Sequence, residues 1–403
     1  MNIDILNTYT PTQKEILRLI VKKKQISRAE IVNSIKTSNL TVINTVKQLI
    51  ADGFVVENGS LTSARGRKAV LLSPNPEAFY FFCADIGTNS TKLAVIRFDG
   101  SYAYRTQIKH ATPSSVFIPY ITPQIMRDEI DQILMQFGTE KIFALCFSIS
   151  GIVDYFEKTV RFCANISGWD NVNFQKVFGD YFHKPVYLDT SGHCFAIAEA
   201  QYNSDVDDSS LFYIAIGHGI STGLIVDGKL YRGASGAAGE LGHYYVPNAQ
   251  NCHDPRDLLV PQCSCGHANC LELYTTATMI REIAENRYHR LNPDSSESAY
   301  PSIACLRRAY SSGDQIVIDT INAAAHTLGS VVANLVNMLN PRHIILGGGT
   351  IAAFPEMVDI VAADIRRFSL QINAENVTVS PSCFGLDGAV LGASLLAINN
   401  LLA

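Results

Sequence analysis

The sequence predicts an α/β chain in which a small, mostly helical head precedes a larger body of two lobes. Three observations lead there. At 403 residues the chain is too long for one hydrophobic core. Residues 12–51 carry apolar side chains at helical spacing, and residues 54–72 then switch to alternation. Beyond residue 79, three separate strand-like runs each end in glycine.

Composition narrows the class. Apolar residues make up 47% and charged residues 17%, an ordinary globular balance. No uninterrupted apolar run approaches the roughly 18 residues that span a bilayer. The first ten residues lack the basic start and apolar stretch of a secretory signal. The expectation is a cytoplasmic protein with no membrane partner. Residues 1–72 hold eleven Lys/Arg against five Asp/Glu, a balance of +6, whereas the whole chain carries −5. A basic head on an acidic body points to a polyanion as partner of the head alone.

In the head, Ile16, Leu17, Ile20 and Val21 share one face of a first helix over residues 12–24. Ser27 and Glu30 form a capping box at the start of a second, which buries Ile31, Val32 and Ile35. After a turn at Lys36-Thr37, a third helix over residues 38–51 turns Val42, Val46, Leu49 and Ile50 inward. Its other face offers Asn39, Thr41, Asn44, Thr45 and Gln48, amides and hydroxyls suited to base edges and phosphates. Two strands around residues 54–56 and 69–72 follow as a wing tipped by Arg65 and Arg67, cations that suit a narrow minor groove. This is a winged helix-turn-helix over residues 1–72. Ser38, Asn39, Thr41, Asn44, Thr45, Arg65 and Arg67 are its candidate DNA contacts. Residues 73–78, with Pro74 and Pro76, read as a short stiff linker.

In the body, strands run into Asp85-Ile86-Gly87, into Gly217-His218-Gly219 and into Gly347-Gly348-Gly349. Bare glycines let backbone N–H groups approach phosphate, and three such junctions suggest one nucleotide-type cleft between lobes. Ten cysteines are present. Cys83, Cys146, Cys163, Cys194, Cys305 and Cys383 stand singly, as buried thiols do. Cys252, Cys263, Cys265 and Cys270 crowd together, which favours metal over disulfides. Three thiolates from Cys263, Cys265 and Cys270 with the imidazole of His243 make a closed tetrahedral set for a structural Zn²⁺. Cys252, His253 and His267 are lesser competitors.

Ala238-Gly239-Glu240-Leu241-Gly242-His243 and Cys263-x-Cys265-Gly266-x-x-x-Cys270-Leu271-Glu272 resemble the signature of the ROK family of bacterial repressors and sugar kinases. The resemblance runs from about residue 79 to the C-terminus, and the head matches the repressor branch. It implies a two-lobed actin-like ATPase (ribonuclease H-like) body, with residues 79–190 plus 385–403 as first lobe and 191–384 as second. It implies the same four metal ligands, a monosaccharide or derivative held by Asn165, Glu240, His243 and Glu272, and a homodimer or tetramer on operator DNA. Trp169, in the resembling Asn165-x-x-Gly168-Trp169 loop, is expected to anchor the core instead.

The kinase part of the resemblance fails at its centre. Family kinases carry an aspartate general base where this chain has Ser191, and a serine hydroxyl cannot hold the proton. His193 replaces the following asparagine, Thr88 and Asn89 replace the Gly-Thr of the first loop, and His218 replaces a threonine in the second. Asp85, Gly87, Gly217, Gly219, Gly347 and Gly348 are then vestiges of nucleotide loops, and Ser191 with His193 serves the sugar. Asp189 is the one nearby carboxylate, but its reach would have to change by about two strand residues, some 6–7 Å, so it is not expected to stand in as base. The expectation is a sugar-responsive regulator and not an enzyme. The competing readings are an ATP-dependent sugar kinase with a regulatory head and a constitutive DNA-binding protein with the body as scaffold.

Overall fold

The computed structural model describes residues 4–62, 68–110, 121–163, 166–206, 209–247 and 262–403. In the head, hydrogen-bonded caps fix where each helix begins. After α1 (Asp4–Asn7), Thr10 and Gln13 exchange bonds in a capping box and α2 (Pro11–Lys23) starts on Pro11, whose missing N–H is not needed there. The strand β1 (Ile26–Ser27) ends on the Ser27–Glu30 capping box that opens α3 (Arg28–Ile35). Lys36 takes a left-handed conformation, and Ser38 then caps α4 (Asn39–Ala51) by accepting from the Thr41 N–H. Strands β2 (Val55–Thr62) and β3 (Lys68–Pro74) pair antiparallel, and β1 adds to β3 as a third strand. A two-residue strand falls below what apolar alternation reveals, so the sequence suggested only two strands.

The connector differs from expectation as well. Ser73 and Pro74 lie within β3, and the Asn75 side chain donates to the Gly53 carbonyl at 2.7 Å. The rings of Phe54, Phe79 and Phe98 follow one another at 5.5–5.6 Å, so one apolar core continues from head to body.

The first lobe begins with β4 (Tyr80–Ile86), β5 (Ser90–Arg97) and β6 (Tyr102–Lys109), an antiparallel meander. Helix α5 (Pro123–Phe137) crosses back so that β7 (Ile142–Ile149) lies parallel to β4. A small sheet of β8 (Ile152–Asp154), β9 (Thr159–Phe162) and β10 (Val172–Asn173) follows, then a π turn into α6 (Asp180–Phe182). Strand β11 (Val186–Thr190) completes the order β11-β7-β4-β5-β6.

Helix α7 (Ser191–Tyr202) leads into a second sheet on the same plan. Strands β12 (Ser210–Ile216), β13 (Ile220–Val226) and β14 (Lys229–Tyr231) are the meander. After α8 (Glu272–Thr275), α9 (Ala277–Leu291), α10 (Ile303–Ser311) and α11 (Gln315–Leu339) comes β15 (His343–Gly347), parallel to β12. Helices α12 (Gly348–Ala353), α13 (Met357–Phe368) and α14 (Gln371–Ala374) precede β16 (Thr378–Pro381), giving the order β14-β13-β12-β15-β16. The last helix, α15 (Gly388–Leu401), returns across β4, β7 and β11.

By length and composition alone α11 is apolar enough to cross a bilayer, although Asp319, Asn322 and His326 interrupt its apolar runs. It is the central helix of the second lobe, with Val317, Ile321, Leu328, Val332 and Val336 in the core. Core burial accounts for its composition.

α7 and α15 lie face to face at the junction of the lobes, closer than side chains ordinarily permit. A Cβ on Gly392 would sit within the main chain of Cys194, and one on Gly192 within that of Thr222. Gly392→Ala should therefore force the helices apart and lower stability by about 3 kcal/mol or more, read by urea unfolding. A variant as stable as the parent would refute this packing.

Candidate functional site

Two glycine junctions face each other where the sheets meet, Gly87 after β4 and Gly217-His218-Gly219 after β12. With Gly348 and Gly349 they border a cleft of about 460 Å³. Gly348 has φ +86° and packs on the Ile216 backbone, a conformation and approach that suit glycine. Gly347, grouped with it from the sequence, instead ends β15 under the Tyr213 ring and does not line the cleft. Across the opening the Asn89 amide lies 2.5 Å from His218 Nε2, so the two loops touch directly. Burial holds the His218 imidazole below its usual pKa.

The floor is polar. Ser191, the first residue of α7, bonds through its Oγ to Asp85 and Ser148, each at 3.1 Å, and Ser148 donates to Asp85 at 2.6 Å. Burial raises the Asp85 carboxyl, and these hydroxyls with Lys92 partly counter it. Asp189 is turned away from this group. The parity that would place it beside Ser191 ends where β11 gives way to helix. Its carboxylate is 1% exposed and bonds His193 Nδ1 at 2.6 Å and Arg232 at 2.8 and 2.9 Å. Burial opposes its ionisation, but His193 and Arg232 overcome that and hold the carboxyl below its usual range. Arg232 also stacks 3.8 Å over the Tyr155 ring. Tied in this way, Asp189 has no carboxylate oxygen turned toward Ser191 to act as a substitute base.

The opposite wall brings Glu240, His243 and Glu272 together. His243 ends a 3-10 turn, with Nε2 4.0 Å from Glu240 and Nδ1 3.9 Å from Glu272. Enclosure pushes the Glu240 carboxyl above its usual range. Behind them, donor atoms of His243, Cys263, Cys265 and Cys270 lie within 4.8 Å of one another. Cys263 Sγ is 3.5 Å from His243 Nδ1, and Cys265 Sγ is 3.6 Å from Cys270 Sγ. A tetrahedron with zinc bond lengths needs about 3.6 Å for sulfur–nitrogen and about 3.8 Å for sulfur–sulfur pairs, so the donors fit that ion. His267 approaches only Cys265, at 3.4 Å.

Other expected residues fall in three places. Asn39 and Asn44 are exposed on α4, whereas Ser38 and Thr41 share the hydrogen bonds of its cap. Thr45 is 5% exposed and faces the head's core, so the periodicity placed it on the wrong face. Arg65, Arg67, Asn165, Cys252 and His253 lie outside the described residues. Trp169 is buried and donates to the Ile121 carbonyl at 2.8 Å, as expected of a core anchor. Ser148 and Arg232 escaped the sequence reading of the site's support, and His193, singled out there with Ser191 as a candidate sugar contact, is instead buried against Asp189. Ser148 sits at the end of an apolar strand, and Arg232 is 43 residues from its partner.

The model of the ROK family matches residues 81–400. The chain is similar to the xylose repressor of Bacillus subtilis (strain 168), 25% identical over 392 residues that cover 97% of this chain and 95% of the relative. The xylose repressor of Caldicellulosiruptor bescii is 27% identical over 409 residues, covering 96% and 95%. Among solved structures, a ROK family transcriptional regulator described as a homolog of the E. coli MLC protein superposes with a TM-score of 0.72 at 22% identity, over 97% of this chain and 98% of that one. A ROK family glucokinase from Streptomyces griseus, in complex with glucose and AMPPNP, superposes at 0.62 with 21% identity, covering 79% and 98%.

Asp189→Asn should leave the half-buried Arg232 without its buried anion and lower stability by about 3 kcal/mol at neutral pH. A carboxyl depressed on folding stabilises above its unfolded value of about 4, and that share is lost as pH falls through the folded value. Urea unfolding across pH 3–7 should show the deficit of the variant shrinking on acidification. A deficit independent of pH would assign it to packing.

Proposed function

The chain belongs to the ROK family, and from this we propose that it is a sugar-responsive transcriptional regulator, a repressor whose head binds operator DNA. The observation that carries the proposal is the pairing of a carboxylate-and-imidazole cleft with a basic helical head on one continuous core. The head is read as a winged helix-turn-helix, with α4 as recognition helix and β2–β3 as wing. Glu240, His243 and Glu272 hold the hydroxyls of a monosaccharide or derivative, with Ser191 and Asn165 as further contacts. Xylose heads the panel to be tried, because the relatives named above are xylose repressors. The regulator works in the cytoplasm as a homodimer or tetramer, presenting paired heads to a palindromic site.

Zn²⁺ is the proposed cofactor, held by His243 Nδ1 and the thiolates of Cys263, Cys265 and Cys270. Its contribution when bound is structural. The fixed imidazole then keeps Nε2 toward Glu240 and the sugar.

Regulation follows from two helices. α7 starts at Ser191 in the cleft and ends at Tyr202, whose ring receives Lys24 of the head at 4.4 Å. α15 begins just after Leu386 on the cleft wall and leads to Leu402 and Ala403, whose carbonyls accept from Arg18 and Lys14 of α2. A sugar that favours a closed cleft shifts the two helix ends under the head and so changes DNA affinity. Phosphoryl transfer is not part of this reading. Ser191 supplies no base, Asp189 is locked away, and Asn89–His218 occupies the junction of the loops. Asp85, Gly87, Gly217, Gly219 and Gly348 then persist as remnants of nucleotide loops.

Mobility shifts on DNA fragments enriched from a random pool should show one sugar of the panel weakening the complex, while ATP consumption with that sugar stays at background. No sugar effect, or enzyme-like turnover, overturns the reading. Arg18→Ala with Lys14→Ala should keep sugar affinity by calorimetry and lose most of the sugar effect on DNA. Cys270→Ser should reduce zinc by elemental analysis from one ion per chain to well below one and lower the melting temperature. Full zinc content in that variant would remove Cys270 from the ligand set.

A further inference from the structure

The outer face of α4 is less polar than a list of its residues suggests. Residues 39, 40, 43, 44, 47 and 48 face solvent. Gln48 is tied to both oxygens of Asp52, at 2.9 and 3.0 Å, and Ser38 and Thr41 are bonded to each other at the cap. Thr45 is in the core. The exposed polar side chains outside these bonds are Asn39, Asn44 and Lys47. Among them stand Leu40, 67% exposed, and Ile43, 40% exposed.

One exposed leucine is unremarkable on a protein surface. Here the two aliphatic side chains are three apart on one helix face and therefore neighbours. They are flanked by amides and a lysine, and residues 39–51 include no acidic side chain. The surrounding head carries +6. A partner matching this face must be anionic and yet offer small apolar groups between hydrogen-bonding ones. The major groove of DNA does so, because thymine's C5-methyl lies beside the donors and acceptors of the base edges.

We propose that Leu40 and Ile43 are specificity-determining residues that read thymine methyl groups in the major groove. Asn44, next to Ile43, pairs its amide with an adjacent adenine, the base whose N6 and N7 an asparagine matches. This rests on the DNA-binding reading of the head.

The test uses the full chain and a duplex enriched from random-sequence DNA. Each thymine is replaced in turn by uracil, which pairs identically but lacks the methyl. At least one replacement per half-site should weaken binding about fourfold, the effect of one buried methyl-sized group. Leu40→Ala or Ile43→Ala should bind the thymine and uracil duplexes alike at the matching step. Both variants should keep the parent's melting temperature, because these side chains lie outside the core. Uracil duplexes binding as well as thymine duplexes, or variants retaining the full preference for thymine, would overturn the inference while leaving DNA binding intact. A random pool that yields no enriched sequence would bring down the DNA-binding reading of the head and this inference with it.

Discussion

The crossing of α7 and α15 is the constraint from which the rest of the molecule takes its geometry. Gly392 lets the backbones of the two helices nearly touch at Cys194, and Gly192 seats the start of α7 against β13. With that end fixed, Ser191 faces Asp85 and Ser148 in the cleft, and His193 faces inward to Asp189. At the opposite ends the same helices meet the head. Packing that serves stability thus also sets the distance between the Glu240–His243–Glu272 wall of the cleft and the helices of the head. Close-packed interiors shift between discrete arrangements more readily than they deform.

What was legible in the sequence was what local chemistry determines. The Ser27–Glu30 capping box, the glycine-terminated strands and the cysteine spacing all appear in three dimensions close to where they were read. Contacts between residues far apart in the chain were not legible. Arg232 and Asp189 find each other across 43 residues, and no pattern in either neighbourhood announces the pair. Thr45 shows the limit of periodicity. At the edge of an apolar stripe a hydroxyl and a valine have similar volumes, and only the packed neighbours decide which way such a position faces. Gly347 shows the limit of motif reading, since three consecutive glycines there serve different purposes.

The two glycine loops of the cleft are bridged by side chains of the chain itself. In a phosphoryl-transfer enzyme, nucleotide phosphates lie between the glycine loops and help to hold the lobes. In this chain the amide of Asn89 and the imidazole of His218 span the same junction directly. Under the proposed function, a bound sugar need only stabilise an arrangement that the side chains already form.

The fastening of the head has a kinetic consequence. With Asn75 pinned to Gly53 and the aromatic rows of Phe54, Phe79 and Phe98 interleaved, little slack remains for the head to sample orientations alone. Under the proposed function, both heads of a symmetric pair must arrive on the duplex together and in phase with its helical repeat. Spacers lengthened by half a turn would then be discriminated against sharply, whereas a loosely tethered pair would reach across them. Under that reading, rigidity of attachment becomes a ruler, measuring the separation of half-sites as well as their sequence.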